Sequence, residues 1–305
     1  MDFFTADLHL GHANILKFSR RLAFMTPADL AAFLEVEAAA KAATKGKAIP
    51  RLKPGEAMIQ RPTAELDRQA SHPAVEAFNK WRPSKESVER MDEGLIELIN
   101  AAVGKSDTLW IVGDFAKPKG EKASDYRRYR DAIRAKDVRL IWGNHDNRHK
   151  CAGLFTQTYE AVMLYVDAPG GTALQSSASG GTALQSGASG GPALTHAELF
   201  ESKGGRQLLA DAQFRSRTRR VFLSHYCHVV WHHSHRGVYH LYGHSHGNLE
   251  AWREEHMPSA LAMDVGVDCW ECRPLSFTEI DHLLTAKAAK VPPHTVDFGS
   301  SGAED

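Results

Sequence analysis

Short apolar runs that break at a glycine and then present metal-type side chains recur along this chain. They constrain its fold more than anything else in it. The fullest is Leu140-Ile-Trp-Gly-Asn-His-Asp146. An apolar run that ends at a glycine and three polar residues is how a buried parallel strand leaves its sheet. In open α/β layouts, chemistry collects at those carboxyl ends. Asn144 can offer a neutral oxygen to a metal, His145 a titratable imidazole, and Asp146 a carboxylate that orients that imidazole.

The same grammar appears elsewhere. A strand over Asp2 to Ala6 exits at Asp7-Leu-His9, with Gly11-His12 in the turn beyond. Asp7 and His9 are two apart, so on an extended strand both side chains face one way. A carboxylate beside an imidazole suits a divalent metal; a strand-end aspartate with a surface histidine is the equally open alternative. Asp107 to Val112 is a second buried strand, ending at Gly113-Asp114-Phe115. Arg219 to Ser224 delivers His225. Val238 to Tyr242 leads into Gly243-His-Ser-His-Gly247, where His244 and His246 again stand two apart on an extended segment. Met263 to Asp268 is expected as a final central strand, and Tyr159 to Val166 as another.

Helical spacing fills the intervals. Thr26 caps a helix over Pro27 to Ala43, with Pro27 in its first turn. Ser84 to Ala102 puts Val88, Met91, Leu95, Ile96, Leu98 and Ile99 on one broad face. Ser124 to Ala135 reads as an Arg-rich amphipathic helix, and Pro274 to Leu284 ends in a further one. Strand and helix thus alternate, the pattern of an α/β protein.

At 305 residues the chain can bury a full-sized core. We expect one domain over 1–284, with a helical insertion at 23–83. Trp81 and the cations of that insertion either cover a substrate cleft or, more plainly, form a solvated surface. Within it, Lys45 to Pro62 is basic and loop-like. Residues 170–179 are repeated at 180–189 with one change, Gly187 for Ser177. Such Gly/Ser/Ala blocks cannot bury enough apolar surface to offset ordering, so 168–192 is expected to be flexible. Thr195 to Ala212 has a capping-box helix pattern, Phe214 to Arg220 a basic loop, and 285–305 a frayed tail.

Lys+Arg and Asp+Glu are equal at 37 each, so no global charge argues for nucleic acid or membrane. No apolar run reaches the ~18 residues of a membrane helix, and the acidic, strand-like N-terminus does not read as a signal peptide. Four scattered cysteines make no disulfide framework, and Cys269-Trp-Glu-Cys272 lacks a second pair for structural zinc. A cytoplasmic protein is expected, with its oligomeric state unread.

In order, Asp7, His9, Asp114, Asn144, His145, His225, His244 and His246 spell Asp-x-His, Gly-Asp, Gly-Asn-His-Asp, His and Gly-His-x-His. This succession resembles the calcineurin-like metallophosphoesterase superfamily over residues 7–246, apart from the insertions. It is nearest to small bacterial and phage-type members, which resemble this chain at Asp7-Leu-His-Leu-Gly-His12, Gly113-Asp-Phe115, Ser224-His-Tyr226 and Gly266-Val-Asp268. Cys227 departs from the proline usual after Ser-His-Tyr in such members. The resemblance implies an α/β (α+β) fold: two packed β-sheets flanked by helices in a four-layer sandwich.

It also implies roles. Asp7, His9 and His246 would hold one metal and Asn144, His225 and His244 a second, with Asp114 bridging both. Mixed imidazole and carboxylate ligands suit Mn, Fe, Zn or Ni better than Ca or Mg. Manganese is the first expectation for the two divalent ions. A metal-bridging hydroxide would attack phosphorus, with His145 as general acid and Asp146 fixing its orientation. His12 and Arg148 are candidate phosphate contacts, each also readable as a surface side chain. His228, His232, His233 and His235 read as loop histidines, because the two-metal set is complete without them.

The expected activity is hydrolysis of a phosphodiester or nucleotide-type ester. A DNA or RNA nuclease of the same superfamily is one alternative, with Lys45–Arg61 as its one candidate basic surface. A non-catalytic scaffold of this fold is the other, and such scaffolds typically lose ligands that this chain keeps.

Overall fold

The computed structural model describes residues 1–47, 49, 72–120, 122–167 and 218–290. The repeat at 168–192, the expected helix Thr195 to Ala212, and the end of the chain from residue 291 lie outside the described residues. So do nearly all of the Lys45–Pro62 loop and residues 214–217. The chain divides into two compact units, Met1–His9 with Leu95–Asp305, and Leu10–Gly94.

The first unit is mixed α/β, with two packed sheets flanked by helices. In one sheet, β1 (Asp2–Thr5), β2 (Thr108–Val112), β3 (Asp137–Ile141) and β4 (Gln157–Tyr159) run parallel. A two-residue strand, β9 (Leu275–Ser276), joins β1 antiparallel and completes the order β4-β3-β2-β1-β9. The other sheet has the order β5-β6-β7-β8, formed by Ala161–Asp167, Thr218–Ser224, Tyr239–Tyr242 and Ala262–Asp264. There β5 is antiparallel to β6, while β6, β7 and β8 are parallel.

Period-two alternation assigns each strand's faces. Val162, Leu164, Val166, Val221, Leu223, Tyr239 and Leu241 share one core with Phe4, Trp110, Val112 and Ile141 of the first sheet. The intervening Met163, Tyr165, Phe222 and Tyr242 pack with Trp231 in a separate cluster. β2 is buried at every position, as a central parallel strand should be.

The second unit is helical, with α1 (Ala13–Phe18), α2 (Pro27–Ala43), α3 (Pro73–Lys80) and the start of α4 (Lys85–Ala102). Thr26 accepts from the Asp29 N–H as the α2 cap. Lys17 is buried and donates to the carbonyls of Phe78, Asn79 and Trp81 at 3.0, 3.2 and 3.1 Å, neutralising the C-terminal end of α3. Trp81 lies 5.3 Å from the Phe33 ring inside this unit.

Several sequence expectations are corrected. Tyr159 to Val166 is two strands in different sheets, broken at Glu160: Tyr159 accepts from the Trp142 N–H in the first sheet, while Ala161 begins pairing in the second. Met263 to Asp268 is neither long nor central. β8 is an edge strand, stopped where Asp264 turns its carboxylate onto the Gly266 N–H and the chain winds into a 3-10 turn over Val267–Cys269. Leu98 is exposed, so the buried face of α4 is narrower than its apolar spacing. Residues 218–220 belong to β6 rather than to a basic loop, and the final helix, α8 (Phe277–Lys290), runs past residue 284 into the expected tail. Among the described residues, the remaining short α-helices are α5 (Ala123–Ala132), α6 (Arg148–Cys151) and α7 (Glu250–His256). No described helix is long and apolar enough to cross a membrane.

Candidate metal centre

The ligand-type residues leave the carboxyl ends of the parallel strands in both sheets. Asp7 and His9 follow β1, Asp114 follows β2, and Asn144 and His145 follow β3. His225 follows β6, and His244 and His246 follow β7. The chain does not stay extended at these exits. Asp7, His9, Asp114, His244 and His246 all have positive φ, between 49 and 67°. The two-apart pairs therefore converge by left-handed kinks and not by strand alternation, which corrects the sequence reasoning. Non-glycine residues held in this region are costly and collect at functional sites. Backbone bonds hold two of them: Asp7 N donates to Gly113 O at 3.0 Å and His9 N to Asp114 O at 2.9 Å.

Two groups of ligand atoms result. Asp7, His9 and His246 form one, and Asp114, His225 and His244 the other, with the atoms of each within 4.8 Å of one another. Asp114 reaches both. Its Oδ2 is 3.3 Å from His9 Nε2 and 3.5 Å from His225 Nε2. Asn144 joins the second group through Oδ1, 3.1 Å from His225 Nε2.

Tautomers point the ligand nitrogens inward. His225 Nδ1 donates to the Val112 carbonyl at 2.9 Å, which turns Nε2 to the cluster, where a metal would take the place of its proton. His246 Nδ1 is 2.6 Å from Asp268 Oδ2, a carboxylate that would steady the ring if Nε2 held a metal.

The electrostatics favour added positive charge. Burial pushes Asp7 up to about 7, despite the opposing pull of His246 and His225. For Asp114, burial is overcome by the hydrogen bond and charge of His225, by His9 and by the His145 N–H, so its carboxyl is held well below the usual range. His225 is pushed up to about 9 because the Asp114 bond and charge outweigh burial. A pocket that holds a proton so firmly beside two buried carboxylates fits a divalent cation, and its mixed N and O donors fit transition metals.

Asp146 departs from expectation. Its Oδ2 accepts from Gly143 N at 2.8 Å and Asp114 N at 3.0 Å, and its Oδ1 from Phe115 N at 2.8 Å. It thus ties the β3 exit to the β2 exit and does not orient the His145 ring. Lys117 meets that ring, with Nζ 2.7 Å from Nδ1. Asp264 clamps the last loop, accepting from Ser245 Oγ at 2.6 Å and Gly247 N at 3.0 Å. Lys117 and Asp264 escaped the sequence reading. Asp264 carried a signal, since it ends an apolar run at a strand exit; Lys117 carried none.

Of the weaker candidates, Arg148 forks onto Glu160 and lies 5.6 Å from the Trp142 ring centroid, so its contacts are those of a surface arginine. His12 falls in the Leu10–Gly94 unit, immediately before α1. His228 pairs with Ser224 Oγ at 3.0 Å and donates its backbone N–H to His240 Nε2 at 3.1 Å. His233 and His235 ring centroids are 6.1 Å apart in the loop before β7.

A family profile described as "Calcineurin-like phosphoesterase" matches residues 83–269. No curated protein matches the chain. Among solved structures, a protein of unknown function from Aquifex aeolicus aligns over 93% of this chain and 98% of its own length, at 16% identity and a TM-score of 0.43.

Proposed function

From membership of the calcineurin-like phosphoesterase family, to which this chain belongs, we propose that it is a binuclear metal-dependent phosphoesterase acting on a phosphodiester or nucleotide-type ester. The observation that carries this is Asp114, whose single oxygen Oδ2 lies within 3.5 Å of imidazole nitrogens from both ligand groups. Asp7, His9 and His246 would hold one ion, Asn144, His225 and His244 the other, with Asp114 between them. Two divalent ions so placed supply, when bound, charge stabilisation for a phosphate and a hydroxide near neutral pH. Manganese is our first choice, with iron, zinc or nickel as alternatives.

The chain's own residues complete the chemistry. His145 is half-buried beside the cluster, its ring centroid 5.2 Å from that of His9. Burial holds the ring below its ordinary pKa, with Asp114 opposing that shift and Lys117 adding to it. In this reading it gives a proton to the leaving oxygen. Asp146 keeps Asn144 and His145 at their post by tying their loop to Asp114. The intact ligand set favours catalysis over a scaffold role. Its four free cysteines fit a cytoplasmic setting.

The test uses chelator-stripped protein reloaded with Mn²⁺. Hydrolysis should return with metal, and kcat/KM for bis-p-nitrophenyl phosphate should exceed that for p-nitrophenyl phosphate. His145→Ala should lower kcat by about 10²–10⁴-fold with both ions retained. Unchanged turnover in that variant would remove His145 from the mechanism, and a ratio well below one would reassign the substrate to a phosphomonoester.

A further inference from the structure

Lys117 lies three residues beyond Asp114, on the chain leaving β2, and is half-buried. An ammonium has three donors and no acceptor, so the lone pair in its 2.7 Å contact with His145 belongs to Nδ1. We infer that Lys117 is a positioning residue for His145: it holds Nδ1 so that Nε2, across the ring, always carries an N–H for the reacting ester. As Nε2 gives its proton to the leaving oxygen, Nδ1 takes one from the Lys117 ammonium, so the ring stays neutral and the lysine ends as an amine.

A carboxylate in the same place would do the opposite. It would draw the neutral ring's hydrogen onto Nδ1 and leave Nε2 as a bare acceptor. Asp146, the carboxylate nearest in sequence, is committed instead to the N–H groups of Gly143, Asp114 and Phe115. The backbone of His145 is pinned as well, since its N–H donates to Asp114 Oδ1 at 2.8 Å. With main chain and Nδ1 both fixed, the ring has one presentation, edge-on to His9 at an interplanar angle of 62°. The inference rests on His145 being the proton donor, and it adds what sets that donor's tautomer.

Two measurements test it. The first is long-range ¹H–¹⁵N correlation on labelled protein loaded with diamagnetic zinc, with His145 assigned by its loss in His145→Gln. In the parent protein, His145 Nε2 should show a protonated, pyrrole-type shift and Nδ1 an acceptor shift. Lys117→Met should average the two, and Lys117→Arg, which keeps a donor, should restore them. The second is kcat on aryl phosphate esters with leaving groups from p-nitrophenol to phenol. Lys117→Met should lose about tenfold more on the phenyl ester than on the p-nitrophenyl ester, since only the poorer leaving group needs the proton. Lys117→Arg should recover most of that difference.

A parent His145 protonated on Nδ1 alone, or a Lys117→Met loss equal across all esters, overturns the inference. If His145→Gln itself shows no leaving-group dependence, the proton-donor assignment fails. The nitrogen shifts then still decide whether Lys117 sets the tautomer.

Discussion

Gly143→Ala isolates close approach from conformational freedom. Gly143 does not occupy the positive-φ region, so alanine can adopt its backbone without strain. The obstacle is what its methyl would meet: Asp114 Oδ1 at 2.2 Å, the Asp114 amide nitrogen at 2.4 Å and Asp114 Cγ at 2.9 Å. The amide belongs to a kinked main chain and cannot rotate away. Relief requires the β2 and β3 exits to part by close to 1 Å, roughly the shortfall from ordinary contact. Overpacking of this kind costs about 1–3 kcal/mol. Parting the exits also stretches the bonds that Asp146 accepts from Gly143 and Asp114, and a bond to a charged group contributes about 1.5–3 kcal/mol. We expect about 3 kcal/mol in all, a fall in Tm of about 6–12 °C for a unit of this size. Because Asp114 is the carboxylate the proposed centre would share, metal content should fall with it. The assay pairs thermal unfolding of metal-free protein with metal analysis of the reloaded protein. Gly120→Ala serves as the control, since its φ is +80° and nothing lies within 4 Å of the added methyl, so only the conformational cost of about 1–2 kcal/mol applies. If Gly143→Ala unfolds within a degree of the parent and still binds two ions, the close-approach reasoning is wrong.

His240 gives a pH prediction away from the metal ligands. Burial pushes its pKa down to about 3, with the charges of His228 and Arg253 adding to that shift, and its Nε2 accepts the His228 N–H. The folded ring is neutral while the unfolded one titrates at its ordinary value, so the stabilisation is complete above about 6.5 and is lost as pH falls toward 3. At pH 5 the loss is about 2 kcal/mol. His240→Gln, which cannot titrate but can still accept from His228 and donate toward Phe222, should flatten the denaturant-derived stability between pH 7 and 5 by that amount; parallel profiles would sink the idea. Asp268→Asn removes the charged partner of His246 Nδ1 and should weaken metal binding about 10–100-fold in a chelator competition, with the fold intact by circular dichroism. Unaltered affinity would show that Asp268 does not tune that ligand.

The strand exits were legible because the physics that buries a parallel strand also forces a break where the chain leaves the sheet. Leu109 to Val112 and Leu140 with Ile141 are buried, and the polar residues follow at once. Which strands meet was not read from the residues: the two sheets followed from the family resemblance, and the alternation between two cores shows only once the strands are paired. The kinks at Asp7, His9, Asp114, His244 and His246 were not legible either. A left-handed residue is chosen by the tertiary bonds around it, such as Asp7 N to Gly113 O, and those bonds join segments about a hundred residues apart. For the same reason the break at Glu160 was hidden: an apolar run can change sheets without changing its composition.

Asp146 and Lys117 mark where pattern reading gives out. Beside a histidine in sequence, an aspartate invites the role of orienting it, because adjacency is the only proximity a sequence displays. In the fold, three backbone N–H groups from two strand exits compete for that carboxylate, and together they outbid one imidazole. The histidine's partner then comes from the neighbouring strand exit, where the register of β2 against β3, Val112 opposite Ile141, brings residues 114–117 alongside 143–146. Parallel pairing therefore does more than place ligands in a row. It lets each exit loop supply the hydrogen-bond partners of the next, so that Asp146 serves Asp114, His145 donates to Asp114, and Lys117 serves His145. On this view the positioning residues of such a site are to be sought not beside the ligands in sequence but at the same depth on the adjacent parallel strand.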